Sequence, residues 1–226
     1  MDILNIVLQL LQGFGITVLL FVIILVLALP LGLLVSFLSL SKIKIVKSVT
    51  RAFISVIRGT PLMLQLIVVF YGPGLIFGAG AGFKDVFSIL NSGRFIAAVV
   101  AFVINYAAYF SEIFRGGIES IPKGQREAGQ VLGLSKGQIF RKIVLLQVIK
   151  NIVPPLGNEI ITLVKDTSLA RTIMVIELTD IAFDLRKAQG GGIWPLLAAG
   201  IFYFVFNAIV AFVLRKIEKK LSYIRI

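Results

Sequence analysis

Histidine and cysteine are absent from this chain, which removes thiolate metal sites, disulfides and the usual proton shuttle at neutral pH. The run Gly78-Ala79-Gly80-Ala81-Gly82 lacks the following Lys-Ser or Lys-Thr of a phosphate cradle and follows an apolar stretch, so it reads as an external loop. No Walker A pattern occurs anywhere, so the chain does not bind ATP by that route. What remains is non-covalent recognition by polar groups inside apolar segments. Glu159, Thr162 and Asp166 fall near one helical face with Asn158 beside them, and Asn105, Tyr109, Glu112 and Gly116 form a second stripe. Placing an Asp at the centre of a membrane helix costs about 2.5–3.5 kcal/mol on insertion scales, so such residues point to function by default. A bland alternative stands beside each acid. Glu112 has Arg115 at i, i+3, while Glu159 could pair with Lys165 or cap backbone near Pro154-Pro155.

The elements that must carry these side chains are membrane spans. Hydrophobic residues make up 58% of the 226 positions and the mean hydropathy is +0.99, against roughly 45–50% apolar residues in a soluble domain. A water-soluble fold would have nowhere to bury that surface. Uncharged or nearly uncharged stretches define spans at 14–40, 59–83, 95–116, 143–164 and 188–214, the first with a kink at Pro30-Leu31-Gly32. Backbone groups in lipid must be bonded internally, and no stretch shows the period-two alternation of a membrane barrel, so the spans are helices. The expectation is an all-α integral membrane protein, one transmembrane domain over residues 1–226 with five transmembrane helices. The stretch 143–164 carries Lys150, Glu159 and the proline pair, and if it did not cross there would be four spans with both termini on one side.

Charge arbitrates between the two counts. The formal net charge is +12, but the basic residues lie between apolar runs rather than along one face, which favours a membrane over nucleic acid. With five spans, 17 lysines and arginines share one side and six (Lys84, Arg94, Lys165, Arg171, Arg186, Lys187) the other, the asymmetry expected of a cytoplasmic and an external face. That places the N-terminus outside and the C-terminus in the cytoplasm. The N-terminus lacks a basic n-region and a small-residue cleavage site, so residue 1 onward is expected to be mature protein. An odd span count cannot split into two equal halves, so a closed pathway calls for a second copy or a homologous partner.

By the same charge argument the segment 121–142, between spans three and four, is cytoplasmic. Glu127 to Leu132 suits a little over one helical turn, Gly133 suits the left-handed residue that ends it, and Ser135 with Gln138 has capping-box spacing for a second helix. Ala128 and Gly129 leave a surface nearly bare of side chain, against which another protein's backbone could lie. Gly116-Gly117 would let the end of span three bend toward this loop, and Thr60-Pro61 places a capping Thr and an N1 Pro at a helix start, with Arg58 as an inside anchor.

The run E-A-G-x3-G-x9-I-x-L closely resembles the cytoplasmic loop of ABC importer permeases, in which Glu-Ala-Ala, three residues, Gly, nine residues and Ile-x-Leu-Pro recur. Glu127, Ala128, Gly133, Ile143 and Leu145 match, whereas Gly129 stands for the second Ala and Leu146 for the Pro. Residues 58–72 (R-G-T-P-L-M-L-Q-L-I-V-V-F-Y-G), Tyr109 to Ile118 (Y-F-S-E-I-F-R-G-G-I) and 165–169 (K-D-T-S-L) resemble the polar amino acid branch of the same family, in family order. The resemblance implies that Arg126, Glu127, Ala128, Gly129, Leu132 and Gly133 belong to a coupling helix seated in a groove of an ATPase subunit.

It further implies a permease subunit that hydrolyses nothing itself and binds no cofactor, with ATP and Mg held by two partner ATPase subunits. A second permease subunit, an external substrate-binding protein and the lipid bilayer of the bacterial inner membrane complete the expected surroundings. Asn105 and Tyr109 would hold the polar ends of an amino-acid zwitterion, and Glu159, with Thr162, Asp166 and Asn158, would favour a basic one such as arginine, lysine or histidine. Two other classes are compatible with the residues: an ion-coupled transporter using Glu159 and Asp166 without an ATPase, and a membrane scaffold that transports nothing.

Overall fold

The computed structural model describes residues 3–77 and 93–221; the Gly78–Gly82 run and the last residues of the expected second span lie outside them. Every regular element among the described residues is helical. Helix α1 (Ile3–Ser39) runs unbroken through Pro30 and is followed by α2 (Lys44–Arg58), α3 (Leu62–Phe77) and α4 (Gly93–Glu119). The connecting segment holds α5 (Lys123–Val131) and α6 (Lys136–Ile139), and a π turn at Phe140–Val144 leads into α7 (Leu145–Asp166). A 3-10 segment (Thr167–Ile173), α8 (Leu178–Ala188) and α9 (Trp194–Leu221) complete the order.

Helices α1, α4 and α9 are each long and apolar enough to cross a membrane. Helices α2 and α3 qualify as a bent pair, with an angle of 105° between them. The expected span from residue 59 is therefore built differently from a single rod. Gly59 caps α2, its N–H donating to the Ser55 carbonyl at 2.9 Å. The Thr60 hydroxyl donates backward to the Val56 carbonyl at 2.9 Å, so it closes α2 instead of opening the next helix, and apolar helix resumes at Leu62. Helix α7 has 22 residues but carries Lys150, Glu159, Lys165 and Asp166, and it is not apolar enough to stand with the others on composition alone.

Helix α4 forms the centre, packed along α1 and against α3 and α7. Its buried face is rich in small residues, Ala97, Ala98, Ala101, Ala107 and Ala108, interleaved with Phe102, Tyr106 and Phe110. Lipid tails are as apolar as leucine, so helices in a bilayer associate by close packing, and small residues permit it. Gly32 shows the consequence. A Cβ there would lie 2.8 Å from Phe110 Cβ and 3.0 Å from the Ala107 carbonyl oxygen, atoms fixed to the backbone of α4. Gly32→Leu is expected to lower stability by about 1–3 kcal/mol, the usual range for overpacking, seen as a lower melting temperature in detergent by size-exclusion chromatography. An unchanged melting temperature would mean that the two helices are not clamped there. Away from this core, α1 and α9 present Leu, Ile, Val and Phe outward, with Phe204 75% exposed, as a lipid-facing surface requires.

Candidate functional site

Where α2 breaks from α3, the middle of α4 and the second half of α7 enclose a cavity of about 480 Å³. It is lined by five of the six expected substrate residues: Asn105 and Tyr109 from α4, and Glu159, Thr162 and Asp166 from α7. The helical periods of 105/109 and 159/162/166 turn both stripes to one space, as their spacing implies. Asn158 is the exception. It is exposed and is not among the cavity residues; its carbonyl accepts the Thr162 hydroxyl at 3.0 Å.

The cavity also contains residues that helical spacing did not single out. Arg58, Gly59, Thr60, Pro61 and Leu62 form its wall at the α2–α3 break, and Tyr106 donates from its hydroxyl to Asp166 Oδ2 at 2.7 Å. The signal for Arg58 was its position: a basic residue ending an amphipathic helix just before Gly-Thr-Pro lies where the chain turns. Gln65 holds that turn. Its Nε2 donates to the Ile57 carbonyl and to Thr60 Oγ1, both at 2.8 Å, while its Oε1 accepts from Asn105 Nδ2 at 3.0 Å. A half-buried amide satisfied on both sides fixes the angle of the break and ties it to the cavity.

The alternatives at the two glutamates separate cleanly. Glu112 is gripped by Arg115, which donates from Nε at 2.9 Å and from Nη2 at 2.6 Å, and Arg115 also pairs with Glu119. Glu112 does not line the cavity with Glu159. Glu159 forms no ion pair with Lys165 among the described residues, and it lines the cavity. The site thus sets two carboxylates, one guanidinium, an amide and phenol and hydroxyl groups around one space. Such a set can hold a small solute bearing charges of both signs.

The segment 121–142 has the two-helix form its sequence implies. Helix α5 starts earlier than expected, at Lys123 behind Pro122, Gly133 takes the left-handed conformation at φ +70°, and Ser135 and Gln138 make a reciprocal capping box. The continuous helical run from Lys136 to Asp166 absorbs Leu146 without a break. Gly129 differs from its expected role on the surface. It is buried, and a Cβ there would meet Ile139 Cγ1 at 2.8 Å and Ile143 Cδ1 at 3.1 Å, so its smallness admits the chain's own second helix. Arg126, Glu127 and Ala128 are exposed, and the tip presents Val131 and Leu132, 88% and 74% exposed.

Comparison with known proteins matches residues 28–223 to the model of a binding-protein-dependent transport system inner membrane component. The chain is 36% identical, over 94% of its length and 92% of the relative's, to the arginine transport system permease protein ArtQ of Bacillus subtilis (strain 168). It is 38% identical to the glutamine transport system permease protein GlnP of Escherichia coli (strain K12), over 79% of this chain and 77% of that one. Its fold superposes on the crystal structure of an amino acid ABC transporter with histidines at a TM-score of 0.82, with 30% identity, covering 97% of this chain and 99% of the other.

Proposed function

This chain belongs to the family of binding-protein-dependent transport system inner membrane components, as the permease subunit of an amino acid ABC importer, and from that premise we propose that it passes basic amino acids through the cavity around Glu159. ATP hydrolysis belongs to a separate subunit. The observation that carries the substrate class is the charge balance of the cavity, where Glu159 and Asp166 face a single Arg58. An amino-acid zwitterion places its α-carboxylate toward Arg58 and its α-ammonium toward one acid. The second acid then faces the side chain. A guanidinium or ammonium satisfies it, whereas a neutral side chain leaves a carboxylate short of a partner, and specificity follows from that difference.

Five crossings fit this reading best, with α2–α3 as a bent second span and α7 as the fourth, its charged residues facing the pathway rather than lipid. The N-terminus then lies outside and the C-terminus in the cytoplasm of a bacterial inner membrane. Two copies, or this chain with a homologue, enclose the path, and α5 seats in the ATPase pair while an external binding protein delivers substrate. Nucleotide-driven closure of the motors moves the two α5 helices together and opens the cavity outward by alternating access.

Glu159→Gln keeps the shape and removes the charge. In proteoliposomes carrying the assembled importer, it is expected to weaken competition by arginine or lysine about tenfold more than competition by glutamine, the equivalent of ~1.4 kcal/mol. Equal losses for both classes would sink the charge-based reading.

A further inference from the structure

A second cavity, about 520 Å³, adjoins the first and is lined by Arg51, Ser55, Glu112 and Arg115 together with Arg58, Gly59 and Tyr109, the three residues common to both. At the shared wall the Arg58 guanidinium lies over the Tyr109 ring, 5.0 Å from its centroid, and Nη1 stands 3.7 Å from Glu112 Oε2. We propose that Arg58, Tyr109 and Glu112 form a gate between the two chambers, with Arg58 as the moving part. The proposal rests on the reading of the Glu159 cavity as the substrate chamber.

Three features suit Arg58 to that task. Its contact with Glu112 is longer than a hydrogen bond, and Glu112 already holds Arg115 through two bonds, so withdrawing Arg58 strands no carboxylate. Its side chain is 41% exposed, which leaves room to swing. It also ends α2 beside the 105° break, and that break is braced by Gln65, whose other bond is to Asn105 in the substrate chamber. An arriving α-carboxylate competes with Glu112 and the Tyr109 face for the guanidinium. An occupant that draws on Asn105 also loosens the brace on the turn that carries Arg58. Both effects move Arg58 off the shared wall, and the opening leads to a chamber where Arg51 and Arg115 continue a basic lining.

The absence of cysteine from the chain makes the gate testable without any amino acid present. In the assembled importer, free of nucleotide, Thr162→Cys reports on the first chamber and Ser55→Cys on the second, each labelled by a membrane-impermeant methanethiosulfonate from the ATPase side and read by gel shift of the permease band. With Arg58 in place, Ser55→Cys should label quickly and Thr162→Cys slowly. Adding Arg58→Ala should speed labelling at Thr162→Cys about tenfold, as expected when a gating element is removed, and leave Ser55→Cys unchanged. Glu112→Gln, which weakens the hold on Arg58 together with that on Arg115 but leaves Arg58 itself in place, should give a smaller rise at Thr162→Cys. Equal labelling of both sites with Arg58 present, or no change at Thr162→Cys on its removal, would overturn the gate. Neither result bears on the Glu159→Gln competition, so the substrate reading and the gate fail separately.

Discussion

Converting Val131 and Leu132 to aspartate in one variant is expected to abolish ATP-driven uptake while the chain still assembles as a folded membrane protein. Both side chains stand almost fully exposed at the tip of α5, in a segment whose neighbours are charged and polar, so lipid is not what covers them. Adjacent bare apolar residues in a polar segment fit the proposed docking of α5 on another protein. Burying the pair in a groove stabilises the assembly by roughly 3–6 kcal/mol, which corresponds to about a hundredfold or more in association. The prediction is loss of the ATPase subunits on co-purification and loss of uptake, with an unchanged melting temperature for the permease itself, because neither side chain packs in any core cluster. Retained uptake with the ATPase subunits still attached would remove α5 as the coupling element.

The contrast between Leu132 and Gly129 shows where sequence reasoning about this segment reached its limit. Both belong to the pattern that resembles the family loop, and the pattern alone assigns both to a docking face. Position along the helix separates them: Gly129 lies within α5 and turns inward onto Ile139 and Ile143, whereas Leu132 stands past the last turn as its C-cap, and the inward packing depends on where a second helix returns, which no local rule specifies. The two polar stripes behaved the other way. Asn105 with Tyr109 and Glu159 with Thr162 and Asp166 were legible because polar residues at helical spacing in an apolar run have only one face to share. Asn158 was grouped with them by adjacency, which in a helix means a different direction.

Arg58 and Gln65 were harder to find for a physical reason. Their roles arise from a 105° break between two helices, and hydropathy registers the apolar residues on either side without registering the angle. The uncharged run starting at Gly59 hid the fact that Gly59–Pro61 end one helix before another begins. Charge counting and periodicity are statements about single elements. The cavity that joins Arg58 to Asp166 is a statement about three elements at once.

Glu177 illustrates the same point and carries the largest expected change in stability, through Glu177→Leu. Nothing in its sequence surroundings marks it, yet it is fully buried and accepts four hydrogen bonds: from the Thr179 and Asp180 N–H groups at 2.9 and 3.0 Å, the Tyr203 hydroxyl at 2.8 Å and the Thr17 hydroxyl at 3.3 Å. It caps α8 and binds that helix to α1 and α9, while Gly13 lets the Leu178 backbone approach α1 closely. Leucine fills the space and leaves the Thr17 hydroxyl its Gly13 carbonyl and the Tyr203 hydroxyl its Thr179 partner, but the Thr179 and Asp180 N–H groups lose their acceptor, at about 1–3 kcal/mol for each group left unsatisfied, so a loss on the order of 4 kcal/mol is expected. Glu177→Gln should cost less, since one oxygen still accepts while its amide faces a backbone N–H. Burial, the largest influence, pushes the Glu177 carboxyl above its ordinary pKa, and its donors oppose that shift. A carboxyl that holds its proton more tightly folded than unfolded gains stability for the fold as pH falls through the raised value and loses it as pH rises. The wild-type melting temperature should therefore climb on acidification above the ordinary glutamate range, and Glu177→Leu should flatten that slope. A variant that melts like wild type, with the slope intact, would mean that the α8 latch is held by packing alone.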